Sequence, residues 1–347
     1  MDKSKMKGGL FSKVSDTNLL FSITVTIFIL MYASAVIFQG GGFRKPQTLF
    51  NILSSNAALI ITALGLSIVM ISGGIDISVG GVVALVTMSC AVYLDYCPGA
   101  NIWVSMLIAV GIGLAFGIVQ GFLVAYFDIQ PFIVTLAGMF FARGMTTIVH
   151  TKPFNVENEA FRKLKDTRIV IPGAGSYNKH NIYQPAKIEI GVVVALVLVV
   201  VLFLVLRYTK LGRSFYAVGG NKQSALMLGI NVRRTKFLSH VICGLLAGIA
   251  GYVYFLNVGS GSAAHATGME MNAIASSIIG GTLLTGGVGN IVGTLFGVLS
   301  LCTIQNMVAS AGLGDAWWTG ITIAAMLCIF LLIQSIVIRQ KKRALRV

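Results

Sequence analysis

The chain is 347 residues long, 56% hydrophobic and only 11% charged, whereas soluble domains carry about 25% charged residues. So few polar residues cannot cover so apolar a core, and apolar runs recur from end to end. The solvent is therefore lipid, and a soluble domain on a single anchor is excluded. The formal charge of +15 raises nucleic acid as a partner. However, the basic residues gather between apolar runs, as the positive-inside rule requires, and no RNP-like, zinc-finger or helix-turn-helix pattern accompanies them, so no nucleic-acid partner is expected.

Residues 1–17 form a polar tail with Lys3, Lys5, Lys7 and Lys13, expected in the cytoplasm. The first apolar run ends in Ala33-Ser34-Ala35, like a signal-peptidase site, but Leu19 to Phe38 has spanning length, so it reads as an uncleaved first helix. The spans predicted are 18–38, 54–72, 77–95, 102–126, 131–149, 188–206, 237–257, 271–285, 291–311 and 317–338. The expectation is an all-α polytopic protein of about ten transmembrane helices. Its membrane domain covers 18–338 and its cytoplasmic tail 339–347. The eighth run, short and glycine-rich, suits a half-helix or re-entrant segment, whose backbone must then line protein or water.

Ten spans put both termini on one side. With the N-terminus inside, the loop 207–236 and the basic tail Arg339, Lys341, Lys342, Arg343 and Arg346 are also inside. The one long external segment, 150–187, is more basic than the rule prefers and is expected to fold over the external mouth. Loop 207–236 has seven basic residues and no acidic one. Within it Asn221 can cap a short helix over Lys222–Leu228, which Gly229 can end. A basic, helix-bearing loop of this kind is a surface for another protein to grip.

Glycine spacing marks close helix packing: Gly113, Gly117 and Gly121, then Gly244 and Gly248, then Gly293 and Gly297. Packing within one subunit is favoured over a dimer seam. Ser72-Gly-Gly-Ile-Asp-Ile-Ser-Val-Gly80 faintly echoes Thr285-Gly-Gly-Val-Gly-Asn-Ile-Val-Gly293, from an internal repeat or from shared turn chemistry.

Signs of catalysis are sparse. There is no G-x-x-x-x-G-K-[ST] loop, no H-E-x-x-H and no cysteine spacing for metal; the cysteines Cys90, Cys97, Cys243, Cys302 and Cys328 read as small residues in or beside spans. Three charges fall at membrane depth, where each costs roughly 3 kcal/mol or more unless it meets a partner or water. Asp76 is either a cap for a helix starting near Ile77 or a residue of the solute path. Arg143 favours a structural pair, and Glu270 an external interface. Polar span residues such as Asn56, Thr62, Ser67, Gln120, Thr135, Gln305 and Asn306 suit a neutral hydrophilic solute or interhelical hydrogen bonds.

Four stretches carry a resemblance: Gly73-Gly-Ile-Asp-Ile-Ser-Val-Gly80, Gln130-Pro-Phe-Ile-Val-Thr-Leu136, Leu211-Gly-Arg-Ser-Phe-Tyr-Ala-Val-Gly-Gly-Asn221 and Ala273-Ile-Ala…Ile-Gly-Gly281. In this order they resemble the membrane subunits of ribose-type ABC sugar importers. Ala137-Gly-Met-Phe-Phe-Ala-Arg-Gly144, Ile279-Gly-Gly-Thr-Leu-Leu-Thr-Gly-Gly-Val-Gly289 and Trp317-Trp-Thr319 are most similar to the galactofuranose-type permeases.

The resemblance implies a type II-like permease of the bacterial inner membrane, translocating a monosaccharide. An amino acid or autoinducer sugar, or a stand-alone carrier, is the alternative. The implied partners are a second permease subunit, an external substrate-binding protein and a cytoplasmic ATPase that holds ATP and magnesium, so this chain needs no cofactor of its own. Gly219, Gly220, Asn221, Ser224, Ala225, Leu226, Leu228 and Gly229 are the residues expected to couple to the ATPase. Asn56, Asp76, Ser78, Gln120, Asn272 and Asn306 are candidates for the path. Two places depart from the family: Asn272 replaces a common aspartate in Glu270-Met-Asn-Ala-Ile-Ala, and Gln305-Asn306-Met307 replaces the common Asn-Gly-Leu.

Overall fold

The computed structural model describes residues 16–40, 42–177, 183–313 and 316–344. Lys3, Lys5, Lys7, Lys13 and Arg346 lie outside the described residues. Eight of the described helices are long and apolar enough to cross a membrane, and a bent pair makes a ninth. A half-helix completes the ten predicted segments.

Helix α1 (Asp16–Phe38) leads to α2 (Pro46–Ser55) and α3 (Ala57–Ile71). The predicted single span 54–72 is in fact this pair, bent by 59° at Asn56. The Asn56 side chain bonds the Ile52 carbonyl 2.9 Å away, holding the break shut with a local competitor for the helix ladder. Every residue of α3 is buried, so its sequence is apolar all round rather than striped.

An extended segment leads to α4 (Val79–Tyr96), then α5 (Ile102–Tyr126) and α6 (Pro131–Val149). The segment after α6 is structured: β1 (Phe154–Asn155), α7 (Glu159–Asp166) and a hairpin of β2 (Arg168–Tyr177) with β3 (Tyr183–Glu189). The hairpin is latched to α2 through Gln47, which accepts from the Lys187 backbone at 2.8 Å and donates back at 3.0 Å. These strands add two small two-stranded sheets to an otherwise helical fold.

Helix α8 (Ile190–Tyr208) leads to α9 (Lys210–Gly220) and α10 (Lys222–Met227). Helix α11 (Val232–Val258) then returns to the hairpin end, where β4 (Ser260–Gly261) pairs with β1. Phe161 of α7 stacks on Phe255 with centroids 4.2 Å apart. The chain next descends without helix to α12 (Met269–Ile279), only 11 residues long, where the sequence predicted 271–285. Helices α13 (Ile291–Ser310) and α14 (Ala316–Ala344) finish the fold. Helix α14 runs on beyond the predicted span end at 338.

The glycine stripes pack on one another inside the subunit. A methyl on Gly117 would stand 2.7 Å from the His240 carbonyl, and one on Gly244 would stand 2.6 Å from Gly117 Cα. Helices α5 and α11 thus meet backbone to backbone, and Gly293 and Gly297 of α13 do the same against α12 near Gly280. Lipid supplies no hydrophobic force between helices, so this close contact is the source of their adhesion.

Candidate functional site

The basic end carries a small platform. Thr209 caps α9 through the Gly212 amide, and Asn221 caps α10 through the Ser224 amide at 2.9 Å. Helix α10 stops at Met227, one residue short of the expected Leu228, and Gly229 follows at φ +76°. Ala225 is buried against Val218 and Val232. That anchors one side of α10, while Leu226, Met227 and Leu228 are 53%, 87% and 77% exposed. Three consecutive large apolar side chains left exposed on so short a helix mark an interaction surface.

Beside the platform, Lys222 reaches the Asp128 carboxylate at 3.2 Å. The Lys222 hydrogen bond, then the charges of Lys222, Lys236 and Arg233, hold that exposed carboxyl below its usual range.

Gly219 is the pivot of the platform's inner side. It sits against the Ile71 carbonyl, at the end of α3, and a methyl there would stand 2.7 Å from the Gly287 amide. The Gly287 amide itself donates to Ile71 O at 2.9 Å. A methyl on Gly286 would stand 2.8 Å from both Gly219 O and Gly73 Cα, and one on Gly287 2.6 Å from Gly220 Cα. The two echoing segments therefore lie side by side, with α9 wedged against both. Gly73, Gly286 and Gly287 take φ of +86°, +82° and +74°, the left-handed region open to glycine. Gly219 and Gly220 were expected here; Gly73, Gly286 and Gly287 were not, and the nine-position echo is the sequence signal that marks them.

From Gly73 an extended strip climbs between helices to Ser78. Thr135 donates to Ile75 O at 3.3 Å. Asp76 Oδ1 accepts from the Ser78 amide at 2.9 Å and from Ser78 Oγ at 2.6 Å. Asp76 thus closes a turn onto Ser78, the residue before α4, and does not cap a helix at Ile77; α4 begins at Val79, two residues later than expected. Ser78 Oγ also lies 3.1 Å from Gln120 Oε1. Asp76, Ser78 and Gln120 thus form one buried group. No ion pair to Asp76 occurs among the described residues.

A second polar group holds the descending segment. Arg143 donates to the carbonyls of His265 and Ala266 at 2.6 and 2.7 Å. Its guanidinium lies 3.9 Å from Glu270 Oε2. Glu270, expected at the external interface, is only 9% exposed and is seated on Gly80, whose missing side chain makes room for the carboxylate. The short α12 begins inside the protein, so its first turn carries the acid inward. Asn272 is half-exposed beside Met271, which is 58% exposed. Asn56 and Asn306 join neither group: each bonds the carbonyl four residues before it, Asn56 to Ile52 O and Asn306 to Cys302 O at 2.8 Å. Among the described residues no cluster could hold a metal ion.

These features sit on a chain with clear relatives. The family model described as branched-chain amino acid transport system / permease component matches residues 48–331. The inner membrane ABC transporter permease protein YjfF of Escherichia coli (strain K12) is 37% identical over 318 residues, covering 91% of this chain and 92% of the relative. The fructose import permease protein FruG of Bifidobacterium longum is 33% identical over 313 residues (90% and 89%). The ribose import permease protein RbsC of Escherichia coli (strain K12) is 34% identical over 280 residues (81% and 83%). No solved structure matches. A match across most of the chain, joined to a multi-pass fold of this kind, makes the chain a member of the branched-chain amino acid transport system / permease component family.

Proposed function

We propose that this chain is the membrane-spanning subunit of an ATP-binding-cassette importer, and that its solute is a monosaccharide. The observation that carries the reading is α10, a capped helix offering three exposed apolar residues next to the glycine pivot. In this reading loop 207–236 is the cytoplasmic coupling loop. Both termini are cytoplasmic, and the segment 150–187 faces outward toward a binding protein. The membrane is the bacterial inner membrane, with a second permease subunit completing the pathway. An ATPase subunit in trans binds ATP and magnesium, grips Leu226–Leu228 and moves α10 when it closes. The pull reaches Gly73 and Gly286 through Gly219.

Within the pathway, Asp76, Ser78 and Gln120 keep the climbing strip in place, and Arg143 holds the start of α12. Asn272 and Met271 are then the side chains of α12 free to meet the solute. The names of the relatives, for ribose and fructose, support a sugar. The stretches Ala137–Gly144, Ile279–Gly289 and Trp317–Thr319 support a galactofuranose-type solute. The family description, which speaks of branched-chain amino acids, favours an amino acid as the second reading.

Reconstitution with its ATPase and binding protein tests this directly. ATP hydrolysis should rise with loaded binding protein, and labelled sugar should accumulate. Unlabelled pentose or galactofuranose should compete and leucine should not. Uptake by this chain alone, driven by an ion gradient, would overturn the ATPase reading; competition by leucine would overturn the sugar.

A further inference from the structure

Between the α5–α6 turn and the start of α11 lies an open cavity of about 610 Å³. Lys222, Arg233 and Lys236 line it together with the single carboxylate Asp128. The three cations leave two positive charges without an acid in the cavity wall. The rest of the wall is mostly apolar or aromatic (Ala125, Tyr126, Leu226, Ile230 and Val232), with Gly229 and the polar Asn231. Both helices that end here are spans, so the cavity stands at the membrane–water boundary. Its apolar wall continues along α5 through Tyr126 and Phe122, each 47% exposed and with rings 5.2 Å apart, and aromatic rings favour this depth. A free phosphate would satisfy the cations and leave the apolar wall bare. An acidic protein loop would do the same.

We infer that this cavity holds the phosphate headgroup of an anionic phospholipid, with its acyl chains lying along Phe122 and Tyr126 of α5. Basic residues at such a boundary each draw an anionic lipid by about fivefold. The site is independent of which solute is carried. Because Leu226 and Ile230 form part of its wall, a bound lipid would touch the platform that meets the ATPase.

Native mass spectrometry of the full purified chain with phosphatidylglycerol and phosphatidylcholine tests the assignment. Wild type should retain phosphatidylglycerol in preference, even in excess inorganic phosphate. Lys236→Gln should lower retention about fivefold, and Arg233→Gln with it by a similar factor again. Arg234→Gln, outside the cavity wall, should leave it unchanged. Asp128→Asn should raise retention, a gain that misfolding cannot mimic; asparagine also tolerates the φ of +54° at that position. Equal retention of the two lipids, displacement by inorganic phosphate or by the ATPase subunit, or a fall with Asp128→Asn would overturn it.

Discussion

Gly219→Ala separates a pivot from an ordinary helix end. In α9 an alanine gains about 1 kcal/mol over glycine from helix propensity, and that gain applies at Gly219 and Gly220 alike. At Gly220 a methyl meets nothing within 4 Å, so Gly220→Ala should be neutral or mildly stabilising. At Gly219 the methyl meets the Ile71 carbonyl and stands 2.7 Å from the Gly287 amide. It pries at the 2.9 Å bond between those two groups. Overpacking of about 1–3 kcal/mol plus a lost hydrogen bond of about 1 kcal/mol outweigh the propensity gain and leave a net loss of about 1–3 kcal/mol. Thermal unfolding of the two variants in one detergent measures the difference. In the reconstituted importer the ratio of solute moved to ATP hydrolysed should fall for Gly219→Ala and hold for Gly220→Ala. Equal behaviour of the two variants in both assays would refute the pivot.

Arg143→Met should cost about 3 kcal/mol, since it strands the Glu270 carboxylate and frees two carbonyls. Adding Glu270→Gln should recover part of that loss in the same unfolding assay. Gly113→Ala should destabilise by about 1–3 kcal/mol, because a methyl there would stand 2.7 Å from Gly248 Cα. Gly111→Ala, with open space around it, should not. Leu228→Glu should leave the melting temperature unchanged, because the side chain is 77% exposed; in the assembled complex it should abolish uptake while the subunit still folds. Normal uptake by this variant would remove α10 from the coupling role.

The spans and the platform were legible because each rests on local chemistry. Apolar runs of about 20 residues announce themselves, and Asn221 with Gly229 brackets α10 to within one residue. The break at Asn56 was not legible, since an asparagine within an apolar run reads equally as a buried hydrogen-bonding residue. The hairpin was hidden for another reason. Its latch is made by Gln47, 140 residues away from Lys187, and no periodicity reports that. The burial of Glu270 was not legible, because a carboxylate at a run's edge reads as an interface residue whatever covers it. The run there does not start at a surface: Arg143, from another helix, lets the chain enter α12 inside the protein. Glycine spacing marks intrasubunit packing, but which stripes meet, Gly113 and Gly117 against Gly244 and Gly248, depends on the tertiary fold.

The echo between 72–80 and 285–293 acquires a physical meaning once the two segments are side by side. Each has a left-handed glycine at its second position, Gly73 and Gly286, and these two meet. Each also holds an Asx side chain accepting from the amide two residues on, Asp76 from Ser78 and Asn290 from Val292, but at the fifth position of one segment and the sixth of the other. The shared left-handed turn therefore accounts for the glycine at the second position, and the contact accounts for why both copies need it. Side chains at a junction can absorb a displacement by changing rotamer. Gly73, Gly219, Gly286 and Gly287 have no side chains, so backbone rests on backbone, and close-packed interiors deform little. A shift of α9 must then either move the ends of α3 and α12 together or break the Gly287–Ile71 bond. Glycine at this point is less a source of flexibility than a way of removing slack.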